Sequence, residues 1–496
     1  MSRFYITNAI AYVNGDPHLG HALEFVQTDV LARHRRLRGD DVRYLSGTDE
    51  NAFKNVQAAA TAGLGAAEFV AARSALFAGL REPLALSYDD FIRTSADPRH
   101  RPGVERLWRA CAAAGDLELR SYTGRYCGGC EAFLDDPDLV DGVCPEHGTA
   151  PEPVEERNWF FRLSRHADAL AEAIGSGVLA IEPEHRRNEV LAVLRGGLAD
   201  FSVSRPRERA GGWGIPVPDD PGQVIYVWFD ALANYVTALG YGNGGADHVR
   251  WWHDADERVH LVGKGITRFH ALYWPAILRS AGEPLPTRIL VHDYVTVDGR
   301  KLSKSRGGGA EPAGLAARYG TDALRWWVVR DVPRSGDADF REEQLARRAN
   351  ELADGLGNLV SRTVSLAARG GEGGANPRNW HPSRVSTARV ADPRLAATID
   401  AVPATIDAAL ARFDLRAAAD GIWSAVEEAN RFVSARRPWH LEGDARAAVL
   451  ADTLAACAAL TTEISPFLPG GAARIAAALQ SGDPAAARRL FPKVVV

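Results

Sequence analysis

Three groups of residues in this sequence have the types and spacing to do chemistry. The segment YCGGCEAFLDDPDLVDGVCPEHG sets Cys127, Cys130, Cys144 and His147 in the pattern C-x2-C-x13-C-x2-H. Each pair offers two ligands from one turn, and four N/S donors suit a tetrahedral Zn2+. A closed four-ligand set leaves no position for water, so the expected ion is structural, one per chain. Incidental free cysteines are the alternative. The second group is DPHLGH at 16–21. Asp16 and Pro17 suit a helix start, which sets His18 and His21 one turn apart with Gly20 between them. A helix N-terminus that follows a strand offers backbone donors to a phosphate, and two imidazoles there add to them. A metal pair or two surface histidines are the other readings. The third group is RKLSKSRGGG at 300–309, where Lys301, Ser303 and Lys304 precede Gly307, Gly308 and Gly309. It is either a solvated turn or a cationic loop with a phosphate to hold.

The elements that must position these groups alternate. FYITNAI is a strand, Pro17 to about Arg38 a helix, and VRYLSG a strand, followed by helical segments at 53–82 and 100–114. Alternation of this kind predicts a parallel, doubly wound sheet. The pattern breaks between about 116 and 225, where a cysteine-rich loop segment is followed by helices. It returns with QVIYVWFDALANYV, RVHLVGKGI and TRILVHDYVTVDG. From about 345 the chain is helical, with a Gly/Pro/Asn linker at 370–383.

A chain of 496 residues is too long for one compact core. Its net charge of −5 excludes a bulk nucleic-acid footprint while leaving local basic patches such as RHRRLRG at 33–39. No run approaches the ~18 apolar residues of a membrane span, and the N-terminus reads as a strand and not a signal peptide. A cytoplasmic protein is expected. Five cysteines, three of them clustered, suit a metal site better than a disulfide framework.

Together, an HxGH helix after the first strand and a KxSKS loop after the last resemble the class I aminoacyl-tRNA synthetases. AYVNGDPHLGH, YLSGTDE, the single zinc knuckle, YVWFDALANY, RFHALYWPAIL, VHDYVTVDGRKLSKS and YGTDALRWW resemble the methionyl-tRNA synthetase family in particular. GNLVSR and RRPWHL resemble its anticodon-binding bundle. The resemblance implies a Rossmann-type sheet split by a zinc-binding connective insertion and followed by an α-helical bundle. Its expected domains are 1–115 and 226–295 for the two catalytic halves, 116–225 for the insertion, 296–345 for the KLSKS loop and stem-contact region, and 346–496 for the bundle.

The implied activity is an ATP- and Mg2+-dependent methionine–tRNA ligase that forms an aminoacyl-adenylate and releases pyrophosphate and AMP. His18, Gly20 and His21 would meet the α-phosphate region, and Lys301, Ser303 and Lys304 the β- and γ-phosphates. Arg205 matches a family arginine near the phosphates. The amino-acid pocket carries over onto Ile10, Tyr12, Trp228, Ala231, Leu232, Tyr235 and His292, with Asp49 for the substrate ammonium. Aromatic and aliphatic side chains suit a polarizable thioether. The bland reading of YVWFDALANY is a core strand running into a helix. Asn358, Arg362 and Trp439 match residues that read anticodon bases; taken singly, each is an ordinary helix-surface residue. The implied partners are methionine, ATP and tRNA(Met), with no DNA and no membrane, and a monomer is expected. The sequence departs from the family at Asn51 and Ala52, where His-Gly is usual, and at Asp293, where glycine is usual. Those positions keep open a paralogue that activates another amino acid, or an inhibitor-resistant second copy.

Overall fold

A computed structural model describes residues 2–127, 132–134, 136, 139–145, 148–301, 311–369 and 389–494. Cys130, His147, Ser303, Lys304, Gly307, Gly308 and Gly309 lie outside the described residues. The chain forms two compact units: Met1–Pro17, Gly39–Gly79 and Tyr88–His292 make the first, and His18–Arg38, Leu80–Ser87 and Asp293–Val496 the second.

The first unit is built on a parallel sheet. Its strands are β1 (Arg3–Asn8), β2 (Ala11–Tyr12), β3 (Asp41–Asp49), β4 (Asp90–Arg93), Ala180–Glu182, Glu257–Gly263 and Arg288–His292. Across the sheet the order is β2, β3, β1, Glu257–Gly263, Arg288–His292 and Ala180–Glu182, with β4 on β3. Every pairing is parallel. The sequence explains this: FYITN, RVHLVG and RILVH are near-continuous apolar runs, suited to strands covered on both faces. The parallel α/β core expected of the fold class is present.

Three features depart from the sequence reading. QVIYV is not a strand of the parallel sheet. The strand Asp220–Ile225 pairs antiparallel with Ser204–Pro206 and Pro216–Val217 in a small separate sheet. Only its last two residues are buried, whereas a central strand is buried along its length. Ala180–Glu182 adds an edge strand from inside the segment read as loop and helix. At three residues it is too short to show periodicity. Finally, the segment 116–225 opens on a long antiparallel ribbon, Leu117–Cys127 against Glu152–Phe161, before its helices Ala167–Ser176 and Glu184–Arg195. The alternating exposure along the first of these strands reflects a one-sided sheet.

The second unit begins with α1 (Leu19–Leu37), which the sequence reading attached to the sheet. Most of the rest is helical, from Thr321–Arg330 and Glu342–Leu352 through Asn358–Ala368, Pro393–Leu410, Leu415–Arg436, Gly443–Ile464 and Pro469–Ser481. Buried Arg325 pairs with buried Asp29 of α1 at 2.8 Å. It also donates to the carbonyls of Leu84, Pro466 and Phe467, at 2.9, 2.9 and 2.8 Å. Among the described residues, Gly443–Ile464 is the single continuous helix apolar enough to cross a membrane by composition. It packs against Asn358–Ala368, Leu415–Arg436 and Pro469–Ser481.

Candidate active site

A cavity of about 80 Å³ opens in the first unit, lined by Ala9, Ile10, Tyr12, Asp49, Trp228, Ala231, Leu232, Tyr235, Ile266 and His270. Ala9 and Ile10 follow β1, Asp49 ends β3, and Ile266 follows Glu257–Gly263. The cavity therefore sits at the carboxyl ends of the parallel strands, where open α/β sheets bind ligands. Val227–Thr237 is buried throughout and supplies Trp228, Ala231, Leu232 and Tyr235 at helical spacing. Trp228 stacks on Phe269 at 3.7 Å and meets Tyr12 edge to face at 6.1 Å. Gly47 keeps the floor low, since a Cβ there would lie 2.4 Å from the Ile92 carbonyl oxygen and 3.0 Å from Ile10 Cγ2.

The polar end of the cavity has a fixed hydrogen-bond order. His270 Nδ1 donates to the Ile266 carbonyl at 3.0 Å, so its Nε2 accepts from the Tyr235 hydroxyl at 2.7 Å. Burial pushes the His270 imidazole down to about 4, against a small opposing effect of the Ile266 carbonyl. The ring is neutral at physiological pH. Behind it, Tyr235 stacks on His260 at 4.1 Å. His260 Nε2 accepts from Trp274 at 3.2 Å, leaving Nδ1–H to donate to Thr7 Oγ1 at 2.8 Å. His260 is also held well below its ordinary value, by burial first and then by His270 and Arg258. The end wall is polar yet uncharged.

In the second unit, His18 caps α1 through Nδ1, which accepts from the Gly20 N–H at 3.2 Å. His21 Nδ1 accepts from the His18 N–H at 3.0 Å, closing a reciprocal capping box. The two rings stack at 3.8 Å. With both Nδ1 atoms accepting, each neutral ring carries its proton on Nε2. Elsewhere in this unit Arg362 holds its guanidinium 5.3 Å from the Trp439 ring, and Trp439 is 43% exposed. Asn358 is exposed one turn before Arg362.

The sequence profile for tRNA synthetases class I (M) matches residues 4–150 and 138–364. The chain belongs to the methionyl-tRNA synthetase family. It is 40% identical to the methionine–tRNA ligase of Mycobacterium bovis over 89% of this chain and 83% of that one. To the Brucella suis methionine–tRNA ligase it is 38% identical, over 95% and 91%. The solved Mycobacterium tuberculosis methionyl-tRNA synthetase in complex with methionyl-adenylate superposes with a TM-score of 0.85 at 37% identity, covering 96% of this chain and 93% of that one.

Of the residues singled out by resemblance to the family, seven line one cavity: Ile10, Tyr12, Asp49, Trp228, Ala231, Leu232 and Tyr235. His292 is absent from that lining. It ends its strand beside Gly263, and His270 is the histidine among the lining residues. Ala9, Ile266 and His270 escaped sequence reasoning. The available signal was in RFHALYWPAIL and the residues just before it, where Ile266 and His270 lie four apart and share a hydrogen bond. Arg205 is buried, donating to Ser202 Oγ and the Ser204 carbonyl, both at 2.7 Å, with its guanidinium 4.5 Å from the Tyr226 ring. The backbone of Lys301 pairs with Thr296. Cys127 and Cys144 are both buried, and the turn after Cys144 closes through Gly148 N–H to the Cys144 carbonyl at 2.7 Å. Two buried thiols, one leading a tight turn, fit the donor set expected of a zinc knuckle.

Proposed function

We propose that this chain joins methionine to its tRNA through a methionyl-adenylate. The observation that carries the reading is the cavity with a carboxylate at one side, an aromatic and aliphatic wall, and a neutral Tyr235–His270 end. Asp49 pairs with the substrate ammonium. Trp228, Tyr12, Ile10 and Leu232 cover a flexible thioether by dispersion contact. A neutral polar end wall tolerates sulfur and disfavours a charged side chain, whose burial without a partner is costly.

In the first step a carboxylate oxygen of methionine attacks the α-phosphorus of ATP, and the bond to pyrophosphate breaks in line. Such a transfer needs positioning and charge neutralisation. The Nε2–H groups of His18 and His21 supply donors to the α-phosphate region at a helix N-terminus. Lys301, Ser303 and Lys304 hold the β- and γ-phosphates. Mg2+ bound with ATP would supply further positive charge to the triphosphate. In the second step a hydroxyl of the terminal tRNA adenosine attacks the acyl carbon, and AMP leaves. Cys127, Cys130, Cys144 and His147 would hold a Zn2+ ion, whose contribution would be structural. Asn358, Arg362 and Trp439 read unpaired anticodon bases, with Trp439 as a stacking surface.

The paralogue reading drew on Asn51, Ala52 and Asp293, and none of them lines the cavity. Asn51 donates to Asp230 at 2.7 Å, and Asp293 accepts from the Gly336 N–H at 2.7 Å. ATP–pyrophosphate exchange with each standard amino acid tests the assignment. Exchange is expected with methionine alone; faster exchange with any other amino acid overturns it.

A further inference from the structure

We propose that His248, His253 and Glu283 form a metal site separate from the cysteine segment, taking a borderline divalent cation such as Zn2+ with solvent in the fourth position. The three side chains converge in the first unit, and their ligand atoms all lie within 4.8 Å of one another. Glu283 Oε2 is 3.2 Å from His248 Nε2 and 3.0 Å from His253 Nε2. Donor atoms on a tetrahedral zinc ion with bonds near 2.0 Å are separated by roughly 3.3 Å. Both measured edges are close to that spacing. Two imidazoles and a carboxylate are also a donor set that such ions take in open sites.

The backbone is shaped to bring the two imidazoles together. In an α-helix, residues five apart point about 140° away from each other. Val249–His253 is instead a π-turn, closed by Asp254 N–H to the Val249 carbonyl at 2.9 Å. Bonding from i to i+5 brings residues five apart nearly into register, and the His248 and His253 rings lie 4.9 Å apart. The loop carrying Glu283 is fixed against this turn. Trp252 Nε1 donates to the Pro284 carbonyl at 3.1 Å, and Arg258 donates to the carbonyls of Leu285 and Trp252 at 2.9 and 3.0 Å. The pocket is ordered before any ion enters.

A second observation points to a ligand. His248 is 6% exposed, and its Nε2 is held only by the 3.2 Å contact to Glu283 Oε2, which is poorly aligned for a hydrogen bond. A buried ring nitrogen in that state is costly, and a cation at the centre of the cluster would satisfy it. His253 is 40% exposed at its side chain, which leaves the cluster open to solvent on one side.

Position in the fold decides what the site does. His253 precedes the strand Glu257–Gly263, and Glu283 precedes the strand Arg288–His292. Both lie at the amino ends of parallel strands, whereas the cavity is at the carboxyl ends. A cation here ties two loops together under the sheet and is structural, not catalytic.

The test compares metal content after equilibrium dialysis against micromolar Zn2+. His253→Ala is the main variant because its side chain is half outside the fold, and Glu283→Gln is the second. Wild type is expected to hold one Zn2+ per chain more than either variant, whatever the cysteine segment contributes. With Co2+ in place of Zn2+, His253→Ala should lose part of the visible absorption while the thiolate-to-cobalt band is unchanged. Added Zn2+ should raise the melting temperature of metal-stripped wild type more than that of His253→Ala. Equal metal content and equal cobalt spectra in all three proteins would overturn the proposal and leave Glu283 as an ion-pair partner of two imidazoles.

Discussion

A Cβ at position 20 would stand 3.0 Å from His18 Cε1, so glycine is what lets the His18 ring fold back over the start of α1. Gly20→Ala should displace that ring and its Nε2 donor. The contact is relieved by a shift of a few tenths of an ångström, whereas misplacing a positioned group by about 1 Å costs on the order of 10²-fold in rate. The expected result is a fall smaller than that in ATP–pyrophosphate exchange, with the apparent affinity for methionine little changed; exchange at the wild-type rate would remove His18 from the chemistry. His270 carries a second prediction. Its folded value is about 4 against an ordinary 6.5, so on acidification the unfolded chain takes up this proton first. Stability linked to the neutral ring is complete above about pH 6.5 and is lost as pH falls toward 4. The shift corresponds to about 3 kcal/mol. Urea unfolding across that range should show a shallower loss in His270→Gln than in wild type, by up to this amount. Parallel pH profiles would show that the ring is not protected from protonation.

Among elements, α1 carries a buried ion pair at Asp29, whose carboxylate also accepts from Arg33 and from Ser87. Asp29 and Arg325 are both fully buried, and burial drives the Arg325 guanidinium below its ordinary value, against the opposing charge of Asp29. Removing one member leaves a desolvated charge, which costs about 3–5 kcal/mol, whereas replacing both with apolar side chains is often near neutral. Asp29→Ala should therefore lower the melting temperature strongly, and Asp29→Leu combined with Arg325→Met should recover part of it, the remainder being lost because Ser87 and the three carbonyls forfeit their partners. If the double variant melts with or below the single one, the pair is not the source of the effect. The same helix presents His18 and His21 at its start, so its anchoring also sets where two candidate phosphate donors stand.

For the whole molecule, the two units divide the proposed work. The amino-acid cavity lies within the sheet unit, and the Arg362–Trp439 pair lies within the helical one. Stacking an unpaired base on an aromatic ring is worth ~1–3 kcal/mol, or roughly 5- to 150-fold in affinity. Trp439→Ala should weaken tRNA binding by that factor, and the loss should appear in tRNA charging. Charging at wild-type efficiency would remove the bundle from tRNA recognition. The inserted segment has its own test. Structural zinc contributes ~10 kcal/mol or more of local folding free energy, so Cys127→Ser should lose one bound Zn2+ and expose the Leu117–Phe161 ribbon to proteolysis. Unchanged zinc content in that variant would refute the ligand set.

Much of this protein is legible before any coordinates, because its candidate chemical groups sit in short strings whose residues are neighbours in the chain. HLGH sets two imidazoles one turn apart, and VWFDALANY sets Trp228, Ala231, Leu232 and Tyr235 along one helix. Local spacing alone orders such groups. The parallel sheet is legible for a related reason, since apolar runs alternating with amphipathic helices have few other ways to bury themselves. Residues that meet only through long-range packing are not legible. His270 and His292 lie on different elements, and only the pairing of Glu257–Gly263 with Arg288–His292 decides which ring reaches the cavity. The strand Ala180–Glu182 exists because a sheet edge was open beside Arg288–His292, not because three residues prefer it. The membership of α1 in the helical unit likewise goes with distant partners: Arg325, nearly three hundred positions along the chain, Asp407 and Glu463. Sequence determined which groups could do the chemistry; tertiary packing decided which of them face one another, because burial and ion pairing act between residues that the chain itself holds far apart.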